Sequence, residues 1–369
     1  MKVIQTGDTF QIYDDNLRTH DKLPVQTYVV RFSKQTGFFL EKYVDMKITE
    51  EKVYGVHTEK VQKVLESFAR SCRSLGVILS GDKGIGKSLF AKMLASDAME
   101  REFPVVVIDT YIPGIASYLE SIDQEVLCMF DEFDKTFGDV QAPDGMAPPQ
   151  TELLGLFDGL SGGKKLFVIT CNELRELNEY LVNRPGRFHY HLRFEYPNSQ
   201  EIREYMMDKI PETMYGEIDS VITFAGRVKL NYDCLRAIAF ELSTGTSFAE
   251  AIKDLNIVNM EAEEFDVTIH FRNGYKATRR DEVMDLYSDA ETEIWFKTRN
   301  GDYICKTVFA PCDSVYDIHS GVNVIDAECI SVTPDSDVED DPVIQAAFAS
   351  GVQCVTIKRK SFKNLHYMV

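Results

Sequence analysis

The chain has 369 residues, 44% apolar and 27% charged, with a formal net charge of −19. That composition fits a soluble globular protein of two or three domains, and its acidic balance disfavours broad, non-specific attachment to nucleic-acid backbone. No apolar run approaches a membrane span and no secretory signal is visible. The eight cysteines are scattered without a C-x-x-C pair, so free thiols in a reducing, cytoplasmic setting are expected.

In chain order, residues 1–52 read as a β-containing segment, with a strand pair at 24–32 and 37–40. Helical spacing covers 57–74. From 75 to 196, short apolar runs at 75–80, 104–108, 126–130, 165–170 and 190–194 alternate with helical patterns, which predicts a parallel sheet with helices on both faces. This core is expected to span 53–197. Residues 198–261 carry helical periodicity. After about 262 the period changes to two, with Asn273-Gly274 and Asn300-Gly301 as tight turns and strands at 265–271, 293–298, 303–308, 321–332 and 352–358. A separate β-rich domain over 262–369 follows. Within it, the acidic stretch Asp335 to Asp341 reads as a solvated loop, with calcium or partner binding as the alternative.

Residues 81–88 (Gly81, Asp82, Lys83, Gly84, Ile85, Gly86, Lys87, Ser88) fit G-x-x-x-x-G-K-[ST] between an apolar run and a helical one. Glycines let a backbone curl so that N–H groups face phosphate oxygens. Lys87 then reaches the β- and γ-phosphates of a nucleotide, and Ser88 offers a hydroxyl to Mg²⁺ at a helix N-terminus. The run 126–130 ends in Asp131 and Glu132, delivering two carboxylates to the carboxyl edge of the sheet. Asp131 is placed to hold Mg²⁺ and Glu132 to polarise the attacking water. The run 166–171 ends in Asn172, which can help hold the same water. Further on, Arg184 and Arg187 flank Pro185-Gly186, a rigid turn that aims guanidinium groups outward.

With these motifs the chain resembles the AAA+ ATPases over residues 53–245. Residues 81–88 resemble the family's Walker A, 126–132 its Walker B, Asn172 its sensor 1 and 183–188 its arginine-finger segment, while 153–159 resemble the segment between Walker B and sensor 1. The resemblance implies ATP and Mg²⁺ as ligands, a homo-oligomeric ring, usually a hexamer, with ATP at subunit interfaces, Arg184 and Arg187 acting in trans, and 198–261 as a helical lid. It also places Arg236 where some members carry a sensor-2 arginine, a plain lid salt bridge being the alternative, and Tyr54 and Gly55 where adenine is often contacted. The general look is similar to ATPases of large tailed bacteriophages, without a motif that carries the likeness; a viral source would make the compartment the host cytoplasm.

Departures from the family pattern bear on the work performed. Only Tyr111 to Gly114 offers an aromatic pore loop, and Pro113-Gly114 reads more simply as a turn before a helix at 115–122. The loop 135–150 faces either a ring axis or solvent. No HExxH motif is present. The expected function is ATP hydrolysis driving remodelling or assembly of a protein client. A nucleic-acid motor or an ATP-dependent assembly switch are the alternatives, and Lys358, Arg359, Lys360 and Lys363 are the main basic cluster.

Overall fold

The structure is a computed structural model that describes all residues except 45, 47–53, 55–56, 139–147, 159–162, 183, 258–262, 299, 337–340 and 361–369. The expectations for Gly55, Asn183, Lys363, most of the 135–150 loop and the middle of the acidic stretch therefore lie outside the described residues. By backbone contacts the chain divides into two compact units, Met1–Glu195 and Tyr196–Val369.

The first unit opens with the hairpin β1 (Lys2–Thr6) and β2 (Thr9–Tyr13), which stands as its own two-stranded sheet and which the sequence pattern did not announce. A second hairpin follows, β3 (Thr27–Ser33) and β4 (Gly37–Lys42). Then come α1 (His57–Arg70), β5 (Leu75–Ser80), α2 (Lys87–Glu100), β6 (Val105–Ile108), α3 (Ile115–Glu120), β7 (Val126–Phe130), α4 (Phe133–Phe137), α5 (Pro149–Phe157), β8 (Lys165–Cys171) and β9 (Phe188–Arg193).

Seven of these strands form one sheet in the order β4-β3-β6-β7-β8-β5-β9. All neighbours pair in parallel except β4, which folds back antiparallel on β3. Part of the N-terminal segment thus joins the main sheet. Thr27–Val29 pair with Val105–Val107, adding a hairpin to the edge of the nucleotide-binding sheet. Every residue of β5, β6, β7 and β8 is buried, as expected for parallel strands covered on both faces. One face packs Val126, Cys128, Phe130, Phe167 and Ile169 against Ile115, Leu119, Phe133, Phe137, Leu153 and Phe157 from α3, α4 and α5. Near the start of β5, Gly76 is required by close approach: a Cβ there would stand 2.5 Å from the Arg187 carbonyl oxygen.

The second unit begins with α6 (Ser199–Lys209), α7 (Ile218–Ala225), α8 (Tyr232–Ser243) and α9 (Phe248–Asp254). Asn198 caps α6 with a full capping box, its side chain accepting from Gln200 and Glu201 N–H while Glu201 accepts from the Asn198 N–H at 2.9 Å. There follow β10 (Glu263–Phe271), β11 (Lys276–Met284), β12 (Thr292–Lys297), β13 (Tyr303–Phe309), β14 (Val315–Asp317), β15 (Val322–Asp326), β16 (Ser331–Pro334), α10 (Pro342–Ser350) and β17 (Val352–Arg359). Two antiparallel sheets result, ordered β11-β10-β17-β15-β14 and β12-β13-β16. They share one core: Phe265, Val267, Ile269 and Phe271 of β10, Ile294 and Phe296 of β12, and Val355 and Ile357 of β17.

Three features differ from the sequence reading. β11 is almost wholly polar and exposed, so its composition gives little strand signal, and pairing with β10 imposes it. The single strand expected over 321–332 is two, β15 and β16, in different sheets. The acidic stretch ends in a helix, because the Asp341 side chain caps α10 by accepting from Val343 and Ile344 N–H. The basic cluster is engaged within its own unit: Arg359 pairs with Glu263, and Lys360 with Glu264 and Asp281.

The helical and β parts of this unit are tied together. Asn323 donates to the Gly226 carbonyl at 3.1 Å, Arg359 donates to the Ala225 carbonyl at 3.1 Å, and Arg227 donates to the Ser314 carbonyl. A cut at 262 severs these bonds and a cut at 195/196 does not. A fragment of residues 196–369 is therefore expected to melt in one cooperative step, at a higher temperature than a fragment of 263–369. Circular dichroism melts of the two fragments decide it; equal midpoints would show that the ties add nothing.

Candidate active site

The strand order fixes the geometry. β8 lies between β7 and β5, so the ends of all three strands meet at the carboxyl edge of the sheet, where open α/β sheets bind ligands. Ser80 pairs with Cys171 and Phe130 with Ile169. The phosphate-type loop leaves β5, the two acids leave β7, and Thr170 to Asn172 close β8.

The loop from Gly81 to Gly86 runs straight into the N-terminus of α2, and Gly86 occupies its N-cap with φ 103°. Gly81 has φ 139°, and a Cβ there would stand 2.5 Å from the Phe194 carbonyl oxygen, so both backbone conformation and space demand glycine. Ile85 is buried and anchors the loop, and Ser88 is exposed on the first turn of α2. Lys87 lies along the loop: its ammonium donates to the carbonyls of Gly81 and Asp82 (2.7 Å for the latter) and to Asn172 Oδ1 at 3.1 Å. Burial pulls the Lys87 pKa below the ordinary lysine value, against the nearby charges of Asp134, Asp82 and Asp131.

Asn172 joins two motifs. Its side chain meets Lys87, and its backbone N–H donates to Asp134 Oδ2 at 2.8 Å. Asp134 is 4% exposed, and its Oδ1 is buried without a hydrogen-bond partner. Asp131 accepts a hydrogen bond from the Thr170 hydroxyl at 2.7 Å on Oδ1. Glu132 stands at φ 46°, ψ 50°, a left-handed conformation uncommon for a residue with a Cβ, and its N–H donates to Thr170 Oγ1 at 2.8 Å. Its carboxylate forms an ion pair with Lys135, one turn along in α4. That hydrogen bond, with Lys83 and Lys87 adding, holds the Glu132 carboxyl below the usual carboxylate range. Asp134 and Lys135 sit in the same Asp-Glu-Phe-Asp-Lys run, but a linear pattern does not show which side chain turns toward which. Thr170 carried no signal beyond its place in a strand.

His57 was also missed. It opens α1 with its ring 5.1 Å from that of Phe194, and its Nε2 stands 3.4 Å from where a Cβ on Gly86 would be. Burial pushes its pKa down to about 4, so the ring beside the loop is neutral at pH 7.

The two arginines of the Pro-Gly turn behave differently. Arg187 is held inside its own chain by a two-point ion pair with Asp158, Nη2 donating to Oδ2 at 2.7 Å, and by Nη1 donating to the Tyr180 carbonyl at 2.8 Å; its side chain is only 10% exposed. Arg184 is exposed, its guanidinium 5.3 Å from the Tyr180 ring centroid. The expectation that both face outward therefore fits Arg184 alone, because the Asp158 carboxylate claims the Arg187 fork. Arg236 belongs to the second unit and pairs with Asp233 at 3.5 Å on an exposed helix face. Tyr54 is buried at 8% exposure. The turn Tyr111 to Gly114 precedes α3 as expected, and Tyr111 is no free pore aromatic: its hydroxyl donates to Glu152 at 2.6 Å and its ring packs 5.8 Å from that of Phe137.

A glycine loop at a helix N-terminus, a lysine lying in it, and carboxylates at the end of β7, one strand away across β8, have the geometry of a nucleotide site of the P-loop class. Residues 77–196 match the family described as "ATPase family associated with various cellular activities (AAA)". This segment is an AAA ATPase domain. Among curated proteins, the chain is 25% identical over 178 residues to the Arabidopsis thaliana "Probable inactive ATP-dependent zinc metalloprotease FTSHI 2, chloroplastic", covering 42% of this chain and 20% of the relative. It is 24% identical over 179 residues to the proteasome-associated ATPase of Kribbella flavida, covering 41% and 31%. It is 22% identical over 281 residues to that of Mycolicibacterium smegmatis, covering 62% and 46%. The chain thus spans less than half the length of each of these relatives.

The ion pair on Glu132 gives a direct test of the site in solution. Replacing Lys135 with Met removes the partner that stabilises the ionised carboxylate, so the Glu132 carboxyl is expected to titrate at higher pH than in the parent protein. Carboxyl-carbon NMR titration of the two proteins reads this shift; coincident titrations would mean the pair does not form.

Proposed function

We propose that the chain hydrolyses ATP at interfaces between its own copies and uses the cycle to remodel or assemble a protein client in the cytoplasm. The carrying observation is the linked pair of contacts at one sheet edge, Lys87–Asn172–Asp134 and Asp131–Thr170–Glu132. The first would place a cation on the β- and γ-phosphates; the second sets two carboxylates beside them. The donor set also suits Mg²⁺, which takes oxygen ligands and is held by few protein groups plus phosphate. Ser88 and Asp131 would hold it, and when bound it neutralises charge on the phosphates.

In this reading the loop N–H groups and Lys87 orient the triphosphate, and Asn172 positions both Lys87 and the water. Glu132 accepts the proton as the water oxygen bonds to the γ-phosphorus and the bond to the bridging β–γ oxygen breaks, releasing ADP and phosphate. Arg184 reaches a neighbouring subunit's γ-phosphate, while Arg187, clamped to Asp158, keeps the turn rigid. Arg236 remains a proposed sensor-2 contact to the nucleotide, with its salt bridge to Asp233 as the alternative, and Tyr54 with Gly55 a proposed adenine contact. With Arg184 acting in trans, the active unit in this reading is a homo-oligomeric ring, usually a hexamer. The protein client is supported by the relatives named as proteasome-associated ATPases, by the net charge of −19, and by the engagement of Arg359 and Lys360 of the main basic cluster within their own unit.

Purified protein is expected to bind and hydrolyse Mg·ATP. Lys87→Ala should weaken nucleotide binding. Glu132→Gln should keep binding and lose turnover by roughly 10²–10⁴-fold, since an amide cannot take the proton. Hydrolysis by Glu132→Gln at the parental rate would remove the base assignment.

Arg184→Ala should lose turnover by on the order of 10³-fold with affinity nearly intact. Mixed with Glu132→Gln subunits, and with exchange shown by an independent label, it should recover part of the activity, because some interfaces then join an intact site to an intact finger. Concentration-independent turnover by a species that sediments as a monomer would sink the interface reading.

A further inference from the structure

We infer that Thr170 is a positioning residue that sets both carboxylates of the site at once, the one that would hold Mg²⁺ and the one that would take the proton. The inference rests on the ATPase reading above for its catalytic consequence, but the hydrogen bonds that carry it belong to the folded chain.

Thr170 is the penultimate residue of β8, 2% exposed and paired with Leu79 of β5 on one side of the strand. The preceding residues 166–169 are apolar and buried. A hydroxyl in such surroundings is costly unless it is bonded. Both of its side-chain partners lie at the end of β7. Glu132 N–H donates to Oγ1 at 2.8 Å, and the hydroxyl donates to Asp131 Oδ1 at 2.7 Å. Chemistry fixes the direction of each bond. An amide N–H can only donate and an ionised carboxylate can only accept, so the single hydroxyl proton is committed to Asp131. The bond fixes the rotation of the Asp131 carboxylate and leaves Oδ2 outside it.

The bond to the Glu132 amide acts on the second carboxylate through the backbone. Glu132 holds a left-handed φ of 46°, a conformation that persists in a non-glycine residue only where the surroundings enforce it. One enforcement is the start of α4, where the Glu132 carbonyl accepts from Thr136 N–H at 2.8 Å and Lys135 N–H at 3.0 Å. The other is Thr170, which holds the amide on the opposite side of the same residue. Removing the hydroxyl frees the Asp131 carboxylate to rotate and loosens the turn that aims Glu132. One atom therefore couples metal affinity to base placement. Among the described residues, no other side chain bonds both the Asp131 carboxylate and the Glu132 amide.

The test compares Thr170→Val, which keeps the β-branched shape without the hydroxyl, with Thr170→Ser, which keeps the hydroxyl. Three readouts apply: amide hydrogen exchange at Glu132 in nucleotide-free protein, the Mg²⁺ concentration that half-saturates the tightening of a fluorescent ATP analogue, and steady-state kcat and KM. In Thr170→Val the Glu132 amide should exchange faster and the Mg²⁺ midpoint should rise about tenfold or more, as for lost outer-shell partners of metal ligands. Its kcat should fall roughly 10–100-fold with little change in KM, and analogue affinity in EDTA should stay at the parental value. Thr170→Ser should return all readouts to within about threefold of the parent. If Thr170→Val fails to give a cooperative melt, Thr170→Ala takes its place against the same serine control. Parental exchange at Glu132 and a parental Mg²⁺ midpoint in the hydroxyl-free variant would overturn the inference, as would a serine variant that behaves like valine. A parent protein that binds the analogue with Mg²⁺ but does not hydrolyse ATP would refute the ATPase reading while exchange and the midpoint still decide the role of Thr170.

Discussion

Everything at the candidate site hangs on β8 lying between β7 and β5. A parallel sheet in that order brings three strand ends to one edge with β8 in the middle, so the last residues of β8 touch what leaves both neighbours. Thr170 reaches the acids after β7, and Asn172 reaches the lysine after β5. The rest of the first unit serves this arrangement. Burial of every residue in β5 through β8 holds the strands in place, because close-packed interiors do not deform freely. The glycines at 81 and 86 then let the loop turn back over the edge.

Much of this was legible in the sequence. The phosphate loop and the two acids are linear motifs whose chemistry depends on neighbours in the chain, and the strand runs at 75–80 and 126–130 coincide with the observed β5 and β7. What stayed hidden depends on contacts across the fold. Thr170 reads as one more β-branched strand residue until its partners on β7 are known. Asp158 and Arg187 are 29 positions apart, and nothing in either local pattern pairs them. The polar β11 lacks alternation because it is an edge strand whose residues 278–281 are exposed on both faces, and its register comes from β10. The joining of β3 to β6 was hidden for the same reason: the run at 24–32 announces a strand but not the sheet it enters.

The contrast between Arg184 and Arg187 shows how two identical side chains three residues apart take different work. Arg187 Nε and both terminal nitrogens find oxygen partners within the chain, and its guanidinium is nearly covered. A fork satisfied in this way acts as a rivet. Arg184, on the open side of the same turn, keeps its donors toward solvent and is steered chiefly by the Tyr180 ring. A charged group carried by a stiff turn loses less freedom on meeting any partner.

The hairpin β3–β4 also protects the molecule from itself. It covers β6, whose four residues Val105, Val106, Val107 and Ile108 are all buried and would otherwise line an open sheet edge with unpaired N–H and C=O groups. A bare β-branched edge of that kind is a template for strand addition by any other copy. In its place the outermost strand is β4, which carries Glu41 and Lys42 at its end and is only partly apolar on its outer side. The hairpin thus moves the edge of the sheet from an all-aliphatic strand to one that ends in charged residues.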